Sequence, residues 1–183
     1  MLSSAPFQVT GEDTTTDEAI AEFCLNTDAQ NVVYNELGGT KVIRILDNTV
    51  VKVGAIEQEA ENQRIARTLV DQSIVHIPVV HRFFRIEELG YLVMERVDGK
   101  SFNDLDPSLA TSRLLAMLDH FNQIRGRNAG PFAGGIPSGL IWDNSHNAAP
   151  SNTLEIEEYF NARLRRSSKE ITFKPARSYF LSS

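Results

Sequence analysis

The chain has 183 residues and a formal net charge of −6 at pH 7; 42% of the residues are hydrophobic and 23% are charged. This composition excludes a disordered chain, and the acidic balance argues against a general nucleic-acid binder, which carries a basic surface. No apolar run approaches the roughly 20 residues of a membrane-spanning helix, and residues 1–18 lack the basic and apolar regions of a secretory signal. The single cysteine, Cys24, excludes an internal disulfide and a thiolate zinc cluster. We therefore expect a cytoplasmic protein whose partners include neither nucleic acid nor a membrane.

The first predicted elements are a polar tail over residues 1 to about 12 and a helix over about 16–26. Thr15 and Glu18 have the spacing of a capping box, in which each side chain bonds to the backbone N–H of the other residue. Apolar residues then recur at helical spacing, at Ala19, Ile20, Phe23 and Cys24.

A stretch rich in β-branched residues follows and predicts a sheet. Its first three strands cover residues 31–37, 41–46 and 49–53, with turn signals at 38–40 and 47–48. The apolar period then becomes helical over about 56–70. Beyond Pro78 two further strands are predicted, at 79–84 and 91–97, with a turn around Glu87, Glu88 and Gly90. The pattern predicts five antiparallel strands with one helix packed on them.

The second half of the chain reads as mainly helical. Asp106 and Pro107 fit the N-cap and first position of a helix that runs to about residue 125. Residues 126–151 are predicted as an ordered loop, Asn152 and Glu155 as the cap of another helix, and 171–181 as a strand. We therefore assign an α+β fold with three parts: a tail and short helix (1–27), the sheet lobe (28–98) and a partial helical lobe (99–183).

Lys52 is the residue of the sheet that points most directly to chemistry. It lies among apolar residues of the third strand, on the face opposite Val51 and Val53. One interpretation is a solvated face of an antiparallel sheet. The other is a lysine aimed at a phosphate and held by a carboxylate of the next helix, with Glu59 as the natural partner and Glu57 and Glu61 as competitors.

Two further segments have both a structural and a functional interpretation. Gly38 and Gly39 fit a plain hairpin turn, or a lid whose backbone amides approach phosphates. Met94 to Val97 fit a core strand followed by a turn, or a ligand-binding segment in which the backbone around Glu95 and Val97 pairs with an adenine edge. The four histidines show no metal-ligand spacing, so no metal site is predicted.

Together these segments resemble a known family. The runs GGTKVIRILDNTVVKVG, EAENQRIARTLV, HIPVVHRFF and YLVMERVDGKSF are similar to the N-terminal lobe of aminoglycoside phosphotransferase-like proteins of the fungal type, which have the protein-kinase-like fold. The later runs GPFAGGIPSGLIWD and LEIEEYFNARL resemble segments of that family's helical lobe. The resemblance covers about residues 28–181.

The resemblance implies a nucleotide site. Lys52 matches the lysine that contacts the α- and β-phosphates of ATP, and Glu59 matches the glutamate paired with it. Gly38 and Gly39 lie where the phosphate-covering hairpin belongs, although the full glycine pattern of protein kinases is absent. The adenine-holding segment corresponds to Met94, Glu95 and Val97.

The catalytic part of the family pattern has no counterpart. The sequence contains no H-x-D motif with a later Asn and no I-D-W type segment, so no catalytic residue and no metal ligand is assigned. The resemblance therefore predicts a phosphotransferase-family protein that ends before its catalytic segments, binds ATP weakly, holds no Mg²⁺ and lacks kinase activity. The acceptor is not identified. The alternatives are a non-catalytic interaction module and a truncated form of an active ATP-dependent small-molecule kinase.

Overall fold

The computed structural model describes residues 15–35, 40–100, 104–125, 130–137 and 152–166. These ranges form a mixed α+β structure with a five-stranded antiparallel sheet and four α-helices. The elements, in chain order, are α1 (Asp17–Leu25), a short 3-10 helix (Ala29–Asn31), β1 (Val32–Asn35), β2 (Lys41–Leu46), β3 (Thr49–Val53), α2 (Glu57–Leu69), β4 (Val80–Ile86), β5 (Leu89–Glu95), α3 (Pro107–Phe121) and α4 (Thr153–Arg166).

The sheet has the order β1-β2-β3-β5-β4, and every neighbouring pair is antiparallel. This confirms the predicted antiparallel sheet, and β2 and β3 have the predicted bounds. β4 and β5 extend further toward each other than predicted, because the turn between them consists of Glu87 and Glu88 alone. Glu87 adopts a φ of 52°, in the left-handed region that two-residue hairpins require.

One face of the sheet is covered by α1. Ile20, Ala21 and Cys24 of this helix belong to one apolar cluster with residues of four strands, namely Ile43, Val51, Phe84, Tyr91 and Val93. The rings of Phe84 and Tyr91 stack with their centroids 5.0 Å apart. Burial of these side chains anchors the helix and defines which strand positions face away from α2.

The opposite face carries α2. Its cluster consists of Ala55, Ala60 and Leu92, with Val80, Phe83 and Met94 packed against it. The chain crosses from β3 to α2 close over Gly90: the N–H of Gly54 donates to the Gly90 carbonyl at 2.9 Å. A Cβ at position 90 would lie 2.1 Å from the carbonyl oxygen of Ala55, so this crossing requires glycine.

The predicted capping box at Thr15 and Glu18 is wrong. The N-cap of α1 is Thr16, whose hydroxyl accepts from the N–H of Ala19 at 3.2 Å. The helix begins one residue later than that box requires, and Arg82 contacts the residues around this start. Its guanidinium donates to the Thr15 carbonyl at 3.1 Å and pairs with Asp17 at 3.1 Å.

The caps of the later helices are confirmed. The carboxylate of Asp106 accepts from the N–H groups of Ser108 and Leu109 at 2.9 and 3.2 Å. Asn152 accepts from the Glu155 N–H, and its amide donates to the Glu155 carboxylate, both at 3.0 Å. α3 ends at Phe121, before the predicted residue 125, because the chain tightens into turns in which the N–H bonds to the third residue before it.

Several predictions fall outside the described residues: Gly38 and Gly39, most of the predicted loop at 126–151, and the predicted strand at 171–181. The chain divides into two compact units between Thr111 and Ser112, within α3. The sheet, α1 and α2 lie in the first unit, and α4 lies in the second. None of the helices in the described ranges is long and apolar enough to cross a membrane.

Candidate functional site

Lys52 lies in the middle of the sheet, on the face that α2 covers. In the register of the strands it stands between Val42 of β2 and Leu92 of β5. Leu92 is fully buried beneath α2, whereas Val51 faces α1. The Lys52 side chain is only 25% exposed. Of the two interpretations of this lysine, the solvated outer face is therefore wrong.

The predicted partner of Lys52 is present. Its ammonium forms an ion pair with the carboxylate of Glu59, which lies in the first turn of α2 and is 36% exposed. A carboxylate in a first helical turn is also stabilised by the positive end of the helix dipole. The competitor Glu61 pairs instead with Arg64 on the same helix. The result is a hydrogen-bonded charge pair in the space between β3 and α2.

Two more polar side chains of α2 follow Glu59 at successive four-residue steps. The Gln63 amide donates to the Pro78 carbonyl at 2.9 Å and to the sulfur of Met94 at 3.6 Å. Arg67 donates to the Ile77 carbonyl, and to the Gln72 side chain at 2.9 Å. Residues at this spacing share one helix face, so we call Glu59, Gln63 and Arg67 the polar stripe of α2.

The end of β5 offers fewer backbone groups than the sequence predicts. The Glu95 N–H donates to the Val79 carbonyl at 2.9 Å, and the Arg96 N–H donates to the Asn48 carbonyl at 2.7 Å. Since the N–H and C=O of a strand residue point to the same side, the Glu95 carbonyl also faces β4. There the Val79 N–H is taken by the Glu95 carboxylate. The N–H groups of Glu95 and Arg96 are therefore used within the protein, and Val97 beyond them is half-exposed.

The Glu95 side chain contacts the segment before β4 through both of its carboxylate oxygens. One carboxylate oxygen accepts from the Val79 N–H at 2.9 Å, and the other lies 2.9 Å from His76 Nε2. The Val79 hydrogen bond lowers the pKa of Glu95, and His76 and Arg67 act in the same direction against the effect of burial. This carboxylate is thus engaged within the protein.

The predicted contact between Lys52 and Glu59 is confirmed, whereas the contacts of Gln63 and His76 were not predicted. Gln63 carries a usable signal, because it lies four residues beyond Glu59 on the same predicted helix face. His76 carries none, since its contact with Glu95 depends on how the segment before β4 folds. Gly38 and Gly39 lie outside the described residues.

Lys52 is a cationic side chain in the space between β3 and α2, where it is paired with Glu59. Within the described ranges, no three His, Cys, Asp or Glu side chains are grouped so that they could hold a metal ion. Comparisons of the chain with protein-family models, curated proteins and solved structures find no match.

Proposed function

We propose that the space between β3, α2 and the end of β5 is a nucleotide cleft, and that the chain is an aminoglycoside phosphotransferase-like protein with the kinase-like fold. The observation that carries the proposal is the Lys52–Glu59 pair, made between the central strand and the helix on its face. A lysine held in this way is ordered and charged, which is what recognition of a phosphate requires.

In this proposal the cleft has two ends. Lys52 binds the α- and β-phosphates of ATP while Glu59 keeps its side chain in place. The Glu95 carbonyl and the Val97 backbone bind the adenine edge. The family resemblance assigns Gly38 and Gly39, which lie outside the described residues, to the segment over the phosphates. Binding is weak, because no carboxylates are assigned to hold Mg²⁺ against the phosphates.

The proposed activity stops at binding. Phosphoryl transfer needs a base for the acceptor hydroxyl and metal ligands that neutralise developing charge. The 183 residues contain no H-x-D motif that could supply them. We therefore propose a nucleotide-binding protein without phosphotransferase activity.

Titration with a fluorescent ATP analogue tests the proposed nucleotide binding. We expect Lys52→Met to weaken binding about tenfold, since a charge-assisted contact is lost. Lys41→Met is the matched control, because Lys41 pairs with Val53 in the register and lies at the positions facing away from α2. Affinity that is equal in wild type and Lys52→Met would contradict the cleft. No binding in any variant would favour the second interpretation, a non-catalytic interaction module.

A radiolabelled ATP assay tests the proposed absence of phosphotransferase activity. We expect no transfer of the γ-phosphate to aminoglycosides, choline-like alcohols or other small hydroxyl compounds. We also expect nucleotide affinity to change little when Mg²⁺ is added. Turnover that disappears in Lys52→Ala would overturn the proposal of a non-catalytic cleft.

A further inference from the structure

Polar contacts contribute to the attachment of α2 to the sheet. Ala60 is its one fully buried residue, and its N-cap, Ile56, contributes no side-chain hydrogen bond. A helix with so little apolar burial gains little positional restraint from packing. The polar stripe adds positional restraint, because each of its members bonds to a group outside the helix.

Gln63 occupies the central position of that stripe. One amide nitrogen reaches both the Pro78 carbonyl, just before β4, and the sulfur of Met94, in β5. Met94 directly precedes Glu95, at the end of β5. Gln63 thus touches two neighbouring strand ends, while Glu59 lies one helical turn away.

We propose that Gln63 is a positioning residue. It fixes the position of α2 relative to Pro78 and Met94 and thereby holds Glu59 against Lys52. A helical turn is stiff, so a displacement of Gln63 from Pro78 and Met94 moves Glu59 with it. The consequence for ligand binding rests on the proposed function: the phosphate end of the cleft is coupled through this amide to the strand end that takes the base.

The test measures the Lys52 ammonium directly and needs no nucleotide. The folded protein is labelled with an amine-acylating reagent, and the rate at Lys52 is followed by peptide mass spectrometry. Gln63→Met keeps the length and helix preference of the side chain but removes the donor. We expect labelling of Lys52 to become about fivefold faster, because losing the amide contacts with Pro78 and Met94 raises the population in which the pair is open.

Glu61→Gln is the matched control. It breaks the exposed Glu61–Arg64 pair on the same helix, and the Lys52 rate should stay at the wild-type value. An unchanged Lys52 rate in a Gln63→Met protein with the wild-type melting curve overturns the inference. If Gln63→Met does not fold, Met94→Leu replaces it, with a rise of about twofold expected and no rise overturning the inference.

The nucleotide titration separates this inference from the proposed function. If Gln63→Met speeds Lys52 labelling and wild type binds no nucleotide, the positioning role stands and the proposed function fails. If wild type binds nucleotide and Gln63→Met leaves both labelling and affinity unchanged, the cleft stands and the positioning role fails.

Discussion

At the level of single residues, Gly90 carries the tightest steric requirement described for this sheet. We predict that Gly90→Ala destabilises the protein by about 2–3 kcal/mol, because the new methyl group must displace the backbone of Ala55. Gly99→Ala is the control, since a Cβ there would meet no atom within 4 Å. Urea unfolding measures both, and equal midpoints for the two variants would show that the crossing at Ala55 is not fixed.

Cys24 is the second residue whose environment makes a firm prediction. Burial in the α1 cluster raises the pKa of its thiol to about 11, with Lys41 opposing the shift only partly. At pH 8, about one thousandth of such a thiol is ionised, and the thiolate is the nucleophile.

Ellman's reagent should therefore react with Cys24 only as fast as the protein opens. In urea above the unfolding transition the reaction should become rapid. Rapid reaction of the folded protein at pH 8 would contradict the burial of this side chain.

Whether the sequence predicts a site residue depends on how far apart along the chain the contacting residues lie. Lys52 and Glu59 were found from sequence because strand alternation and the first turn of the next helix place them. The glycine requirement at Gly90 was not found, since it arises where the chain between β3 and α2 crosses β5. The local spacing of residue types in the sequence does not predict such a close approach.

At the level of elements, the stability contributed by the contacts of Glu95 with the segment before β4 is expected to depend on pH. The pKa of Glu95 is lowered from the ordinary 4.5, mainly by the Val79 N–H. A carboxylate whose pKa is lower in the folded state binds protons more readily when unfolded. Its stabilising contribution is present above about pH 4.5 and is lost as the pH falls through the folded-state pKa.

Chemical unfolding between pH 3 and pH 7 measures this contribution. We expect the free energy of unfolding of wild type to fall below pH 4.5 more steeply than that of Glu95→Gln. Glu88→Gln, at the opposite end of β5, is the control, because its side chain is 99% exposed. Identical pH profiles for wild type and Glu95→Gln would show that the Glu95 carboxylate does not stabilise the fold.

Element boundaries show where sequence patterns succeed and where they fail. The caps of α3 and α4 were predicted because Asp106 and Asn152 bond to N–H groups within three residues. The cap of α1 lies one residue later than predicted, and there Arg82 from a distant strand bonds to Thr15. A contact that spans more than sixty residues cannot be read from a four-residue motif.

At the level of the whole molecule, the sheet has a helix on each face, and α1 and α2 are held by different means. α1 buries three residues in an apolar cluster, whereas α2 buries one and relies on polar contacts. The α1 face of the sheet is thus apolar, whereas the α2 face contains charged and polar side chains. The Lys52–Glu59 pair and the Gln63 contacts both lie on the α2 face.

The exposed apolar face of α3 is expected to join two copies of the chain. Its residues Leu114, Leu118 and Phe121 share one helix face, and Leu115 flanks it. All four are 42–55% exposed. This face carries no charged residue, whereas Arg113, Asp119 and His120 lie elsewhere on the helix. Two copies of such a face can cover each other without burying a charge, and exposed apolar patches favour association.

Sedimentation velocity over a concentration series measures this association. We expect the sedimentation coefficient of wild type to rise with concentration, and Leu118→Glu to weaken the association about tenfold, because two copies would bury two unpaired carboxylates. Ala116→Glu adds the same charge about 200° away around the helix and should leave the association unchanged. A concentration-independent monomer in wild type, or equal effects of the two variants, would show that this face does not join two chains.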